Sequence, residues 1–194
     1  MVSRRFSQAI SEGDGISVIV DVADGDAARA AEAQGAEALV VHGRLDDVRG
    51  ATELPILWRS RGGPADAARG GADACLVSVE DADEDEERLA LLHAEAIDLG
   101  LDCVVEVRNE EQLELALERL DPEIFLLSVG DEDADALTHA LELLPDVPAG
   151  KLAVAEVPVS SREQVIELER AGVDAVIVGA RDVAELVGDA PPQV

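Results

Sequence analysis

The 194-residue sequence is poor in aromatic side chains, with no tyrosine, two phenylalanines and one tryptophan. Its core must therefore be built from Val, Leu, Ile and Ala, a composition suited to helices stacked on a tightly packed parallel sheet. Lysine is nearly absent too: Lys151 is alone among fifteen basic residues, set against 43 acidic ones, and the formal charge is −28. A surface of that sign repels nucleic acid and anionic membranes, which excludes both as partners. Acidic, lysine-poor composition fits a salt-adapted cytoplasm, although GC-rich coding also favours Arg over Lys. There are only two cysteines, Cys75 and Cys103, in the apolar runs "ACLVSV" and "CVVEV". Both read as inert buried thiols, so neither a disulfide nor a metal site is expected, and no cofactor is called for. No apolar run approaches the roughly 18 to 20 residues of a membrane span, and the opening "MVSRRFSQAISEGDG" lacks the apolar centre of a signal peptide. One cytoplasmic domain spanning residues 1–194 is expected; the oligomeric state is not legible.

What is present is a repeating unit. "GAEALVV" from Gly35, "GADACLVSV" from Gly71, "GLDCVVEV" from Gly100 and "GVDAVIVGA" from Gly172 each place a glycine and an acidic turn residue before an apolar run. The glycine suits the left-handed cap of a preceding helix, and the run suits a buried strand. Strands are predicted near 16–22, 37–42, 54–59, 74–79, 102–107, 123–129, 152–157 and 174–179. Helical patterns follow at 25–34, 45–50 (a short turn), 64–70, 84–99, 109–120, 133–144, 161–171 and 181–187. Eight alternating pairs imply an α/β fold that closes as a single (β/α)8 TIM barrel. The competing open, doubly wound sheet is disfavoured because "DVADGDAARA" after the first strand lacks the G-x-G-x-x-G spacing of a dinucleotide site.

In such a barrel the chemistry sits at the carboxyl ends of the strands. Those ends supply mostly carboxylates and arginines. Glu106 and Glu156 interrupt the apolar strands "VVEV" and "AVAEV", and an unpaired charge facing packed helices would be costly. They therefore belong in the barrel mouth, either as an acid-base pair or as structural carboxylates tied to Arg59 or Arg108. Asp21, His42, Arg59, Arg108, Ser128, Gly179 and Arg181 are the candidate ligand-binding residues beside them. His42 is of a residue type that titrates near neutrality, but a lone histidine at a strand end is also commonly a hydrogen-bonded bystander. His93 and His139 fall within helical patterns, outside the site.

The stretch "GADACLVSVEDADEDEERLALLHAEAIDLGLDCVVEVRNEEQLELAL" followed by "AGVDAVIVGARDV" resembles indole-3-glycerol phosphate synthase, a (β/α)8 enzyme of tryptophan biosynthesis. The likeness extends from about Phe6 to Leu186 and is strongest in strands four, five and eight. It implies a ring closure with loss of carbon dioxide and water from an anthranilate-derived ribulose phosphate, with two lysines and a glutamate in general acid-base roles. By that resemblance Glu106 matches the strand-five glutamate, Glu156 the strand-seven glutamate and Gly179 a phosphate-binding glycine of strand eight. The departures are extensive. Asp21 and Ala23 stand where the family has Glu and Lys, no Ser-Pro-Ser phosphate loop follows, and Arg59 takes the place of the strand-three lysine. Ser128 replaces an asparagine, Val157 and Pro158 replace a Ser-Gly pair, Ala180 fills the last polar slot, and the amino-terminal extension is largely missing.

A lysine can donate a proton once burial or neighbours lower its pKa, whereas a guanidinium, with a pKa above about 12, holds its proton. Arg59 can thus stabilise an anion but cannot readily act as the general acid, and Lys151 precedes strand seven, at the opposite face. Three functions remain open: a diverged barrel that binds a small anionic ligand with the lysine-dependent chemistry lost; an active indole-3-glycerol phosphate synthase, hence a carboxy-lyase; and a non-catalytic scaffold or oligomer subunit.

Overall fold

The computed structural model describes residues 4–13, 15–60, 62–80, 86–129, 135–179, 183 and 186. Eight parallel strands pair in sequence order and close on themselves: β1 (Ser17–Asp21), β2 (Ala38–Val41), β3 (Ile56–Trp58), β4 (Ala74–Ser78), β5 (Asp102–Val107), β6 (Ile124–Ser128), β7 (Leu152–Glu156) and β8 (Ala175–Gly179). Closure is made by β1 against β8, with Ser17 opposite Ala175 and Asp21 opposite Gly179. The helices between strands are α2 (Gly25–Ala33), α3 (Leu45–Arg49), α4 (Pro64–Gly70), α5 (Glu86–Asp98), α6 (Glu110–Arg119), α7 (Ala136–Leu143) and α8 (Arg162–Ala171). The chain is a (β/α)8 barrel. Strand β5 coincides with the sequence reading, and the other seven are shorter than it by one to three residues, because the outermost residues of a run continue past the final ladder bond. The pattern expected at 181–187 lies largely outside the described residues; Val183 and Leu186 there are helical and buried.

The glycine of the repeat behaves as its position demands. Gly71 (φ +80°) and Gly172 (φ +102°) take the left-handed conformation that ends α4 and α8, where a side chain would be strained. Side-chain caps open three helices: Asp24 accepts from the Ala27 amide, Asn109 from that of Gln112 and Ser161 from that of Gln164.

Alternation along the strands sorts the core into two layers. One lies between strands and helices and includes Val20, Leu39, Val105, Phe125, Leu127 and Val176. The other fills the barrel itself with Ile19, Val40, Leu57, Val104, Leu126 and Val154. Cys75 and Cys103 are register partners on β4 and β5, buried and free, and a hydrogen bond to Cys75 together with burial pushes the Cys103 thiol pKa well up.

One element was not expected from the sequence. Helix α1 (Arg5–Ser11) precedes β1, and its Phe6 and Ile10, one turn apart, join the interior layer at 0% and 2% exposure. They close the amino-terminal end of the barrel. Ser7 anchors the plug: its amide and hydroxyl both donate to the Asp102 carboxylate, at 2.9 and 3.1 Å. Among the described residues no helix is long and apolar enough to cross a membrane.

Candidate active site at the barrel mouth

The inward parity that puts Ile19, Val40, Leu57, Val104, Leu126, Val154 and Ile177 inside the barrel continues one step further to Asp21, His42, Arg59, Glu106, Ser128, Glu156 and Gly179. Period-two geometry alone therefore carries these side chains to the carboxyl-end mouth. Arg59 is the hub. Its Nη2 donates to Glu106 Oε1 at 2.5 Å and its Nη1 to Glu156 Oε1, so one guanidinium spans the mouth from β3 to β5 and β7. Burial pulls the Arg59 pKa down, but the hydrogen bond and charge of Glu156, with the charges of Glu106 and Asp21, outweigh it and leave the group raised. Arg59 stays a cation.

Glu106 is 3% exposed and is held from several sides. Besides Arg59, the Ser128 hydroxyl donates to the same oxygen at 2.9 Å, and Arg108 Nη2 lies 3.9 Å away. A carboxylate this buried is tolerable because it is paired and hydrogen-bonded. On the far side His42 Nε2 sits 3.1 Å from Asp21 Oδ2. Asp21, His42, Arg59, Arg108, Ser128 and Glu156 line a cavity of about 570 Å3. A second lobe of about 350 Å3 shares Arg59, Arg108 and Glu106 and adds Ser60, Ser78 and Glu80.

The mouth thus assembles every described candidate. Gly179 is at the rim, paired in register with Asp21, and Arg181 lies outside the described residues. Glu80, by sequence one of the strand-end residues but not one of the candidate catalytic or ligand-binding residues, forms an ion pair with Arg108. Its signal was available, since it follows the apolar strand "ACLVSV" by one residue. Four carboxylates face two guanidiniums here, and both guanidiniums already hold carboxylate partners. Among the described residues no group of three or more His, Cys, Asp or Glu is arranged to hold a metal ion.

Lys151 is at the other end of the barrel. It precedes β7, and its Nζ donates to Asp121 Oδ1 at 2.6 Å. The mouth contains no ammonium side chain.

The family model for indole-3-glycerol phosphate synthase matches residues 64–184. The chain belongs to the indole-3-glycerol phosphate synthase family. Relatives bearing that name include proteins of Geobacillus sp. (strain WCH70), 34% identical over 170 residues, and Salinibacter ruber, 37% identical over 114 residues. The matched region covers 78% of this chain and 64% of the Geobacillus protein, and 56% and 40% for the Salinibacter pair. The chain therefore aligns with less than two thirds of the length of these synthases. Solved structures with the same fold include an N-acetylmannosamine-6-phosphate 2-epimerase from Clostridium perfringens, at TM-score 0.68, 15% identity and 87% coverage of each chain. An oxaloacetate acetylhydrolase superposes at TM-score 0.69 and 15% identity, covering 93% of this chain and 81% of that one.

Proposed function

We propose that this member of the indole-3-glycerol phosphate synthase family binds a small anionic ligand, a phosphate or carboxylate, at its mouth and does not perform the lysine-dependent ring closure. The observation that carries this reading is Arg59, a guanidinium at the centre of the mouth in a chain whose one lysine lies at the opposite end. Proton donation from a group that stays cationic is unavailable, while charge-assisted hydrogen bonding to an anion is its strongest chemistry. Any acid-base work falls to Glu106 and Glu156.

Because the arginines are already paired, an anion binds by exchange. Of the two glutamates on Arg59, Glu156 is the more exposed, its side chain at 29% against 4% for Glu106, so it is the one that yields. Arg108, half-exposed on Glu80, supplies the second contact. Removing the competing charge then tightens binding: Glu156→Gln should raise affinity for inorganic phosphate about tenfold, or ~1.4 kcal/mol. Thermal-shift titration with phosphate and small carboxylates, at low and molar salt, tests the reading. Absence of stabilisation by all of them in both salts rejects it.

A second reading, an active synthase, is favoured by relatives of that name at 32–37% identity. Formation of indole-glycerol phosphate by the purified protein, or rescue of a tryptophan auxotroph, would establish it in place of the first.

A further inference from the structure

The charges at the mouth do not balance. Among the described residues, Asp21, Glu80, Glu106 and Glu156 face Arg59 and Arg108, so with His42 neutral the carboxylates are in excess by two. An anion alone enlarges that excess inside a chain of net charge −28, whose field already opposes its entry. Exchange at Arg59 sharpens the conflict, because Glu156 loses its cation as the new anion arrives next to it. The space is also generous: the larger lobe, about 570 Å3, exceeds what a single phosphate or carboxylate group fills. Apart from Val129 and Leu76, the described lining of both lobes is polar or charged, which suits a ligand without an apolar body.

Given the anion seat proposed above, on which this reading rests, we infer that the ligand is a compact zwitterion: an amine-bearing carboxylate or phosphate ester whose anionic group sits on Arg59 and Arg108 and whose ammonium pairs with Glu156 and Asp21. Arg59 Nη2 and Arg108 Nη2 approach the same Glu106 oxygen, at 2.5 and 3.9 Å, so the two guanidiniums converge and one small anionic group can touch both. Glu156 starts in contact with Arg59. Once displaced it stands beside the bound anion, and a cation within its reach lies only a few bonds from that anion. Asp21 lines the same lobe as Glu156 and is near enough to Arg59 for its charge to raise that group's pKa. Around the ring β8 stands between the two carboxylates, and its residue level with Asp21 is Gly179, which adds no side chain there. An ammonium carries three N–H donors, enough for both carboxylates, and it replaces the bridge that Glu156 gives up. Glu106, buried and held by the Ser128 hydroxyl as well, keeps Arg59 in place throughout.

Calorimetric titration of the full chain with ligand pairs that differ only in ammonium against hydroxyl tests this. In dilute salt β-alanine should bind about tenfold more tightly than 3-hydroxypropanoate, and phosphoethanolamine should exceed 2-hydroxyethyl phosphate by a similar factor. Molar KCl should narrow both differences. Glu156→Gln should narrow them from both ends, tightening the hydroxyl compound and loosening the amine, and adding Asp21→Asn should abolish them. Both replacements keep the side-chain shape, and melting temperatures of the unliganded variants check the fold; the wild-type comparison decides alone should the double variant not fold. Equal or weaker binding of the amines overturns the zwitterion and leaves the anion reading standing. Absence of binding by all four compounds, in dilute and molar salt, rejects that reading as well. Differences undiminished in the double variant also overturn the zwitterion assignment, since the ammonium would then be held elsewhere.

Discussion

Arg59 is the residue on which the mouth turns. With it removed, Glu106 keeps only the Ser128 hydroxyl and the more distant Arg108, and a carboxylate buried to 3% loses its main counter-charge. Arg59→Ala should therefore destabilise the fold by about 3 kcal/mol in denaturant unfolding, the low end of what breaking a buried pair costs because the mouth is partly open to water. Adding Glu106→Gln should recover most of that loss, and a double-mutant cycle measures the coupling. Asp102 offers a pH test at the other end of the barrel. Burial raises its pKa despite the two hydrogen bonds from Ser7, so ionisation costs stability in the folded state. Its stabilising contribution is full below the ordinary carboxylate range and is lost as pH rises through the raised value. The stability of wild type relative to Asp102→Asn should accordingly be greater near pH 4 than at pH 7, by urea titration at both; a pH-independent difference contradicts this. The identities of the mouth residues were legible because each charged or polar side chain falls on the inward parity of an otherwise apolar strand. Their pairing was not: sequence allowed Arg59 or Arg108 to neutralise Glu106 and Glu156, and only three-dimensional closure shows Arg59 holding both while Arg108 turns to Glu80.

Among the elements, β2, β4, β5 and β8 follow from the glycine-led repeat and the other four strands from apolar runs between helical patterns, because a buried parallel strand needs a continuous apolar run and its helix needs a stop. Helix α1 escaped the same reading. Seven residues hold only two apolar contacts, Phe6 and Ile10, flanked by Arg5, Ser7 and Gln8, too short a pattern to separate from a polar loop. Its stability comes from the barrel it fills, which no local propensity encodes. Phe6→Ala should cost about 3–5 kcal/mol by chemical denaturation, as deletion of a fully buried aromatic does, and Phe6→Leu clearly less. Equal, small effects would show the plug to be dispensable.

At the scale of the molecule, a charge of −28 acts against compaction wherever it is unscreened. The Debye length falls from about 10 Å at 0.1 M salt to about 3 Å at 1 M, so repulsion between exposed carboxylates is largely removed while the buried Arg59 bridges are weakened little. The melting temperature should rise steeply with KCl up to molar concentrations and then level off; indifference to salt would leave the acidity as a matter of codon composition. The aromatic poverty that shaped the core has a further practical result. Trp58 is the sole indole in a chain without tyrosine, its Nε1 donating to the Gly43 carbonyl at 2.9 Å and its backbone adjoining Arg59. Ultraviolet emission from this protein therefore reports one location, the β2–β3 rim, and an occupant settling there is visible in the native chain without a dye.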